Sequence, residues 1–422
     1  MHITFVYRLW QIIAGSFSLV LMSVVLDSEQ LGKYYLLVAF LGFFAVLDFG
    51  AFSELRVRAA QSYGSPSWHK TSYLQSNLWS WCLVVGGILF LPYTFVYLYV
   101  FGSFFYSWSA VYVCALGSVA FYNFLLTPNF IIQESSGNAE SASLLKLGGS
   151  IIGYLCSWLL LYFITTPWII FVQQFALLIV SVICLPRLFN TCLLFQPPSF
   201  KGVSSWYRCH FKKQLSIGFL DVNSYFQSQF FVIVFGSLYG VVYGGQFGIT
   251  FAVSNMILAL SQIPFLVRLH RISKVLDLSS GEKYSIRHEV GYILPSIIIF
   301  FFLMVAFNIF LKQNVIQHEF IDAVTSRFLP LDQVNLILLT TFFMMCGSFF
   351  SLFSHFKSVS YITLTMLFIN ISFLAISAAI EHLWQVKGVL VTVCAGSGLG
   401  AVVSFWLFRN LQRKNGSPRK IV

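Results

Sequence analysis

Apolar residues in this chain fall in continuous runs of about 20, each bounded by charged or turn-forming residues, the pattern of helices that cross a bilayer. Twelve runs are legible, at 10–26, 34–52, 77–101, 108–130, 144–164, 168–186, 215–238, 246–267, 290–311, 333–353, 361–380 and 388–408. A transmembrane β-barrel would instead show alternating strands of about 10 residues. The predicted fold class is all-α: a polytopic membrane protein of about twelve transmembrane helices, arranged as two six-helix bundles around a central cavity.

Composition strengthens this reading. Of 422 residues, 58% are hydrophobic and only 9% charged, whereas about a quarter of a soluble domain is charged. No large soluble domain fits between the runs. The formal net charge of +11 would suggest nucleic acid in a soluble protein; in a membrane protein the placement of the cations carries the information. With the N-terminus inside, 21 of the 25 Lys and Arg fall on one side, leaving Lys33, Lys312, Arg327 and Lys387 on the other. Positive charge marks the cytoplasmic face, so both termini are expected to be cytoplasmic and the span count even. The eight cysteines form no CxxC pair and mostly lie inside apolar runs, as free thiols would. The N-terminal region lacks a small-residue cleavage site and reads as an uncleaved first span.

Outer connections are tight turns, the longest being 312–332, so no outer domain is expected. The expected organisation is an N-terminal six-helix bundle at 1–189, a basic cytoplasmic linker at 190–214, a C-terminal six-helix bundle at 215–408 and a basic tail at 409–422. Six spans per half permit parallel repeats about an axis along the membrane normal. The inner segments 53–76 and 187–214 mix cations with Trp68, Tyr73, Phe195, Phe200, Trp206, Tyr207 and Phe211. Between spans, that mixture reads as interfacial helices against anionic headgroups, with no nucleic-acid partner.

Polar groups inside hydrocarbon need partners, so a polar stripe marks either a helix contact or a wet cavity. Asp221, Ser224, Ser228 and Gln229 share one face of the seventh run, widened by Asn223 and Gln227; Gln246, Thr250 and Ser254 continue on the eighth; Arg8, Gln11, Gly15 and Ser18 line the first. Each stripe alone is equally a helix contact. The three together predict a central polar cavity. Two acids sit well within the runs, Asp48 and Asp221, roughly 6 to 9 Å deep from the inner face at 1.5 Å per residue. Burying either charge costs about 2.5–3.5 kcal/mol, so each is expected to face the interior with a partner, with Arg8, Arg56 and Arg268 nearest in depth.

Enzymatic signatures are missing. No glycine-rich stretch precedes a GK[ST], and His288-Glu289 is not completed as a zinc motif because Tyr292 occupies the second histidine position. Gly396 and Gly400 read as a helix-packing contact, and Asp27-Ser28-Glu29 as a turn between the first two spans. No nucleophile stands beside a base, so neither covalent chemistry nor a cofactor or metal is expected.

Three features resemble the Wzx-type flippases of lipid-linked oligosaccharides, within the multidrug/oligosaccharidyl-lipid/polysaccharide exporter (MOP) superfamily. The first is RLWQIIAGSFS at Arg8 to Ser18 followed by LDSEQLGKYYLLVAFLGFFAVLDFGAFSEL, in which Glu29, Gln30, Gly32, Tyr34, Tyr35, Asp48 and Gly50 echo a family pattern. The second runs from Gln229 through GVVYGGQFGITFAVSNMILALS, with Gly245, Gln246, Phe247 and Gly248 the closest match. The third is the twelve-span layout with a basic middle loop. The segment His355-Phe356-Lys357 departs from the family, as does the near absence of Arg or Lys within the spans.

The resemblance implies transfer of an undecaprenyl-diphosphate-linked oligosaccharide across the bacterial inner membrane for O-antigen or another surface polysaccharide. A polysaccharide polymerase and a chain-length regulator are the implied partners beside the lipid bilayer. On this reading Arg8, Arg56 and Arg268 attract the diphosphate, Gln11, Asn223, Gln227 and Gln246 meet sugar hydroxyls, and Asp48 and Asp221 couple transport to protons or sodium. Two rivals stand beside it: an O-antigen polymerase, normally carrying a large outer loop, and a cation-coupled drug or small-solute exporter of the same superfamily.

Overall fold

The computed structural model describes residues 2–62, 69–101, 109–135, 138–188, 197–226, 228–278, 286–312, 324–356 and 360–416. Among these residues there are helices and no strands. The helices are α1 (His2–Val25), α2 (Ser28–Gly42), α3 (Phe44–Leu47), α4 (Ala51–Ser62), α5 (His69–Trp81), α6 (Gly87–Phe101), α7 (Ser109–Ser135), α8 (Ala139–Phe163), α9 (Ile169–Leu188), α10 (Phe200–Phe226), α11 (Gln229–Tyr239), α12 (Val241–Leu278), α13 (Ile286–Lys312), α14 (Leu331–Phe356) and α15 (Ser360–Gly416). A π-helical segment, Cys82–Gly86, joins α5 to α6.

The expected spans map onto these helices, the second, third and seventh being divided over more than one element and the last two sharing α15. Eight stretches are long and apolar enough to cross a bilayer, and four shorter apolar stretches, Leu9–Val25, Gln229–Tyr239, Leu331–Gly347 and Leu364–Phe373, complete the pattern. The protein is a multi-pass, all-α membrane protein.

The chain forms two compact units. The first comprises Met1–Asp221 and Ser228–Gly248, the second Val222–Gln227 and Ile249–Val422. In the first unit α7, α8 and α9 bury a cluster of Leu126, Phe130, Ala142, Leu145 and Leu185. A second seam joins α1 to α8, where the Trp10 indole N–H donates to the Ser150 hydroxyl at 3.2 Å and that of Trp158 donates to Ser18 at 2.8 Å. Bonds between side chains suit a bilayer, where lipid is as apolar as leucine and packing plus polar contacts must hold helices together. Between α2, α11 and α12 the contact is closer still. A Cβ on Gly245 would sit 2.7 Å from the Gly32 Cα, so only hydrogen at that position lets the backbones meet.

In the second unit, Phe342 of α14 packs on Phe300 and Phe301 of α13. The Asn370 side-chain amide donates to the Asn223 side-chain oxygen at 2.7 Å, and the Leu329 N–H donates to the Thr250 hydroxyl at 3.3 Å. Although α15 is helical throughout, a Cβ on Gly396 would meet Phe373 at 2.7 Å. In a straight helix those residues would be about 35 Å apart at 1.5 Å per residue. The chain therefore reverses between them, and α15 supplies the two antiparallel spans expected at 361–380 and 388–408.

Several expectations are corrected. The seventh span, expected as one helix over 215–238, is broken: α10 ends at Phe226 and α11 starts at Gln229, with Ser228 at φ −123°, ψ −92°. The second span, expected over 34–52, breaks at Phe43 and again at 48–50. The inner linker is not wholly an interfacial segment, because residues 200–214 belong to α10 and one face of that helix packs inside the first unit, with Trp206 fully buried. The expected turn at Asp27-Ser28-Glu29 is present: Asp27 caps α2, accepting the Gln30 N–H at 2.7 Å, and Glu29 pairs with Lys33 at 2.6 Å.

Candidate functional site

The end of the second span is irregular. Phe49 has φ 50° and Gly50 φ 81°, the first being a left-handed backbone uncommon for a bulky residue. The Asp48 carbonyl accepts the Ala51 N–H at 3.0 Å, and its carboxylate accepts the Phe52 N–H of α4 at 2.9 Å, capping the start of that helix. At Gly218 the α10 backbone presses against this kink, since a Cβ there would lie 2.5 Å from the Phe49 carbonyl oxygen. One turn further along α10 stands Asp221. The kink and the close approach together bring Asp221 to the cavity wall that holds Asp48.

That cavity has a volume of about 480 Å³ and lies within the first unit. Its polar lining is Asp48, Asn123, Thr127, Gln174 and Asp221; Phe44, Phe52 and Phe124 are the aromatic part. Asp48 is 6% exposed and Asp221 is half-buried. The Asn123 amide donates to the Gln174 backbone oxygen at 2.9 Å and to its side-chain oxygen at 3.3 Å. The π-helical segment stands behind the wall, with Gly86 against Phe121 and Phe124. Non-helical backbone at membrane depth is tolerated only where protein buries it or where it borders a wet cavity, and π-segments recur at functional sites. A kink and two carboxylates thus meet at one chamber, with the π-segment packed behind its wall. Among the described residues its lining holds two carboxylates and no basic side chain, which suits a proton, a cation or hydroxyl groups better than an anion.

The residues singled out from sequence are placed as follows. Asp48 and Asp221, taken as coupling acids, share this cavity. Gln11 is exposed and donates to the Tyr7 hydroxyl at 2.6 Å. Arg56 is 3.7 Å from Glu134, which also pairs with Lys146 at 2.5 Å. Asn223 is buried against Asn370, and Gln246 is half-buried on α12. Gln227 and the side chains of Arg8 and Arg268 lie outside the described residues. Asn123, Thr127 and Gln174 escaped sequence reasoning. The available signal was the four-residue spacing of Asn123 and Thr127 on one face of the fourth run, with the Gln173-Gln174 pair in the sixth.

No family model matches the chain, and no curated protein matches its sequence. Solved structures do. An inward-facing conformation of a multidrug resistance MATE family transporter of the MOP superfamily is similar over 97% of this chain and 96% of its own, with a TM-score of 0.60 at 17% identity. MATE in complex with MaL6 gives a TM-score of 0.54 at 16% identity, covering 98% of this chain and 94% of that one. MATE in the bent conformation gives 0.52 at 16%, with 98% and 94% covered. The chain has the fold of MOP-superfamily transporters.

Proposed function

We propose that this protein is a flippase of the bacterial inner membrane. It carries undecaprenyl-diphosphate-linked oligosaccharide repeat units from the inner to the outer leaflet by alternating access, for O-antigen or another surface polysaccharide, with both termini cytoplasmic. The observation that carries the reading is a cavity holding two carboxylates and walled by broken helices inside a transporter fold, in a chain whose first, second, seventh and eighth spans resemble Wzx-type flippases. Asp48 and Asp221 serve as the coupling pair. Two carboxylates on the wall of one cavity repel each other, a repulsion that a bound proton or cation relieves, so their occupancy biases which way the protein opens. Arg8, Arg56 and Arg268 attract the diphosphate at the inner mouth.

A deletion strain tests the proposal. Undecaprenyl-linked single repeat units accumulating in the inner leaflet, with surface polysaccharide restored by the wild-type chain, support it. A second reading, a cation-coupled exporter of small solutes or drugs, is favoured by the acidic chamber and by the multidrug transporter among the fold neighbours. Intact polysaccharide with altered drug sensitivity in the same strain would favour that reading.

A further inference from the structure

Between Arg187 and Leu220 the chain holds five cations and no acidic residue. The structure sorts the first half of α10 into two faces. Gly202 packs on Asn77, Trp206 is fully buried, and His210 is 3.2 Å from Glu54 of α4, so this side is committed to the first unit. Phe200, Lys201, Ser204, Tyr207, Arg208 and Cys209 are exposed; at 100° per residue all but Cys209 fall within an arc of about 120° on the opposite side, and Cys209 widens the exposed surface to about 200°. Phe200 is 80% exposed and Tyr207 55%. Tyr207 also stacks on Trp81 at 6.4 Å, which places this face at the inner end of the third span, where hydrocarbon meets headgroups.

We propose that this exposed face of α10 is a docking surface for anionic phospholipid headgroups, with Lys201 and Arg208 binding the phosphates and Phe200 and Tyr207 seated among the acyl-chain ends. An aromatic-and-basic face at a membrane boundary complements an anionic lipid surface in both charge and polarity. A free polyanion such as RNA would use the cations but leave Phe200 without apolar surroundings. By holding α10 at the boundary, the lipids steady the helix that carries Asp221.

The test uses the full chain in nanodiscs with photoactivatable phosphatidylglycerol or phosphatidylcholine as probes and labelling of residues 200–208 as readout. Each cation near an anionic surface contributes about fivefold. Labelling by phosphatidylglycerol should therefore exceed that by phosphatidylcholine by roughly 25-fold and fall about fivefold in each of Lys201→Gln and Arg208→Gln. The preference should also shrink in 0.5 M NaCl, a readout that needs no variant. Equal labelling by the two probes, a preference unchanged in the double variant, or displacement of the lipid label by a 20-nucleotide RNA would each overturn the proposal.

Discussion

The glycine seam between α2 and α12 permits a sharp perturbation. In Gly245→Ala the new methyl would lie 2.7 Å from the Gly32 Cα and 2.8 Å from its amide nitrogen, against an ordinary contact of 3.4 Å or more. Both neighbours are backbone, so no side chain can rotate aside and the helices must part by about 0.7 Å. Overpacking of this kind costs about 1–3 kcal/mol, and the lost close packing has no hydrophobic compensation in lipid. Gly15→Ala is the matched control, since nothing lies within 4 Å of a Cβ there, and it should leave stability unchanged or raise it by up to about 1 kcal/mol through helix propensity. Reversible unfolding of the purified chain by SDS in mixed micelles measures both. If Gly245→Ala proves as stable as Gly15→Ala, the backbone contact between α2 and α12 is not formed in the folded protein and the argument fails.

Further outcomes are expected at other positions. Asp48→Asn and Asp221→Asn should each abolish polysaccharide export at normal expression; export preserved in both would remove them from coupling. In the second unit, a double-mutant cycle of Asn223→Ala and Asn370→Ala should return a coupling of about 0.6–1.7 kcal/mol, the range of polar contacts between membrane helices, whereas additive effects would deny their bond. Burial alone would raise the Glu54 carboxyl, but hydrogen bonds from His210 and Arg58, with the Arg58 charge, outweigh it and hold it below the ordinary carboxylate range. Its stabilisation is therefore present above the ordinary value of about 4.3 and lost as pH falls below it. The stability gap between wild type and Glu54→Leu should be about 1–3 kcal/mol at neutral pH and narrow steadily as the pH falls below about 4.3; a gap that stays constant or widens there would contradict this.

Local pattern determined the twelve spans, because the apolarity a bilayer demands is a property of each segment on its own, readable without knowledge of its neighbours. The same locality made Asp48 and Asp221 stand out, since an acid inside an apolar run is anomalous wherever the run ends up. The stripes in the first, seventh and eighth runs were legible as helix faces, yet Asn223 turned out to face Asn370 and Gln11 to pair with Tyr7, because a polar face says that partners exist without saying which.

Only tertiary structure decided the rest. The left-handed turn at Phe49 and Gly50 is held by the Asp48 carboxylate and by the approach of Gly218, residues 170 positions away in sequence, and no local preference of phenylalanine predicts it. The π-segment Cys82–Gly86 and the break at Ser228 likewise carry no proline to announce them. The 480 Å³ chamber draws its lining from α2, α3, α4, α7, α9 and α10 and from the Asp48 turn. Asn123, Thr127 and Gln174 gained meaning only when packing set them opposite two acids. A helix can be read from 20 consecutive residues; a cavity belongs to the space between helices, and that space exists only after they have packed.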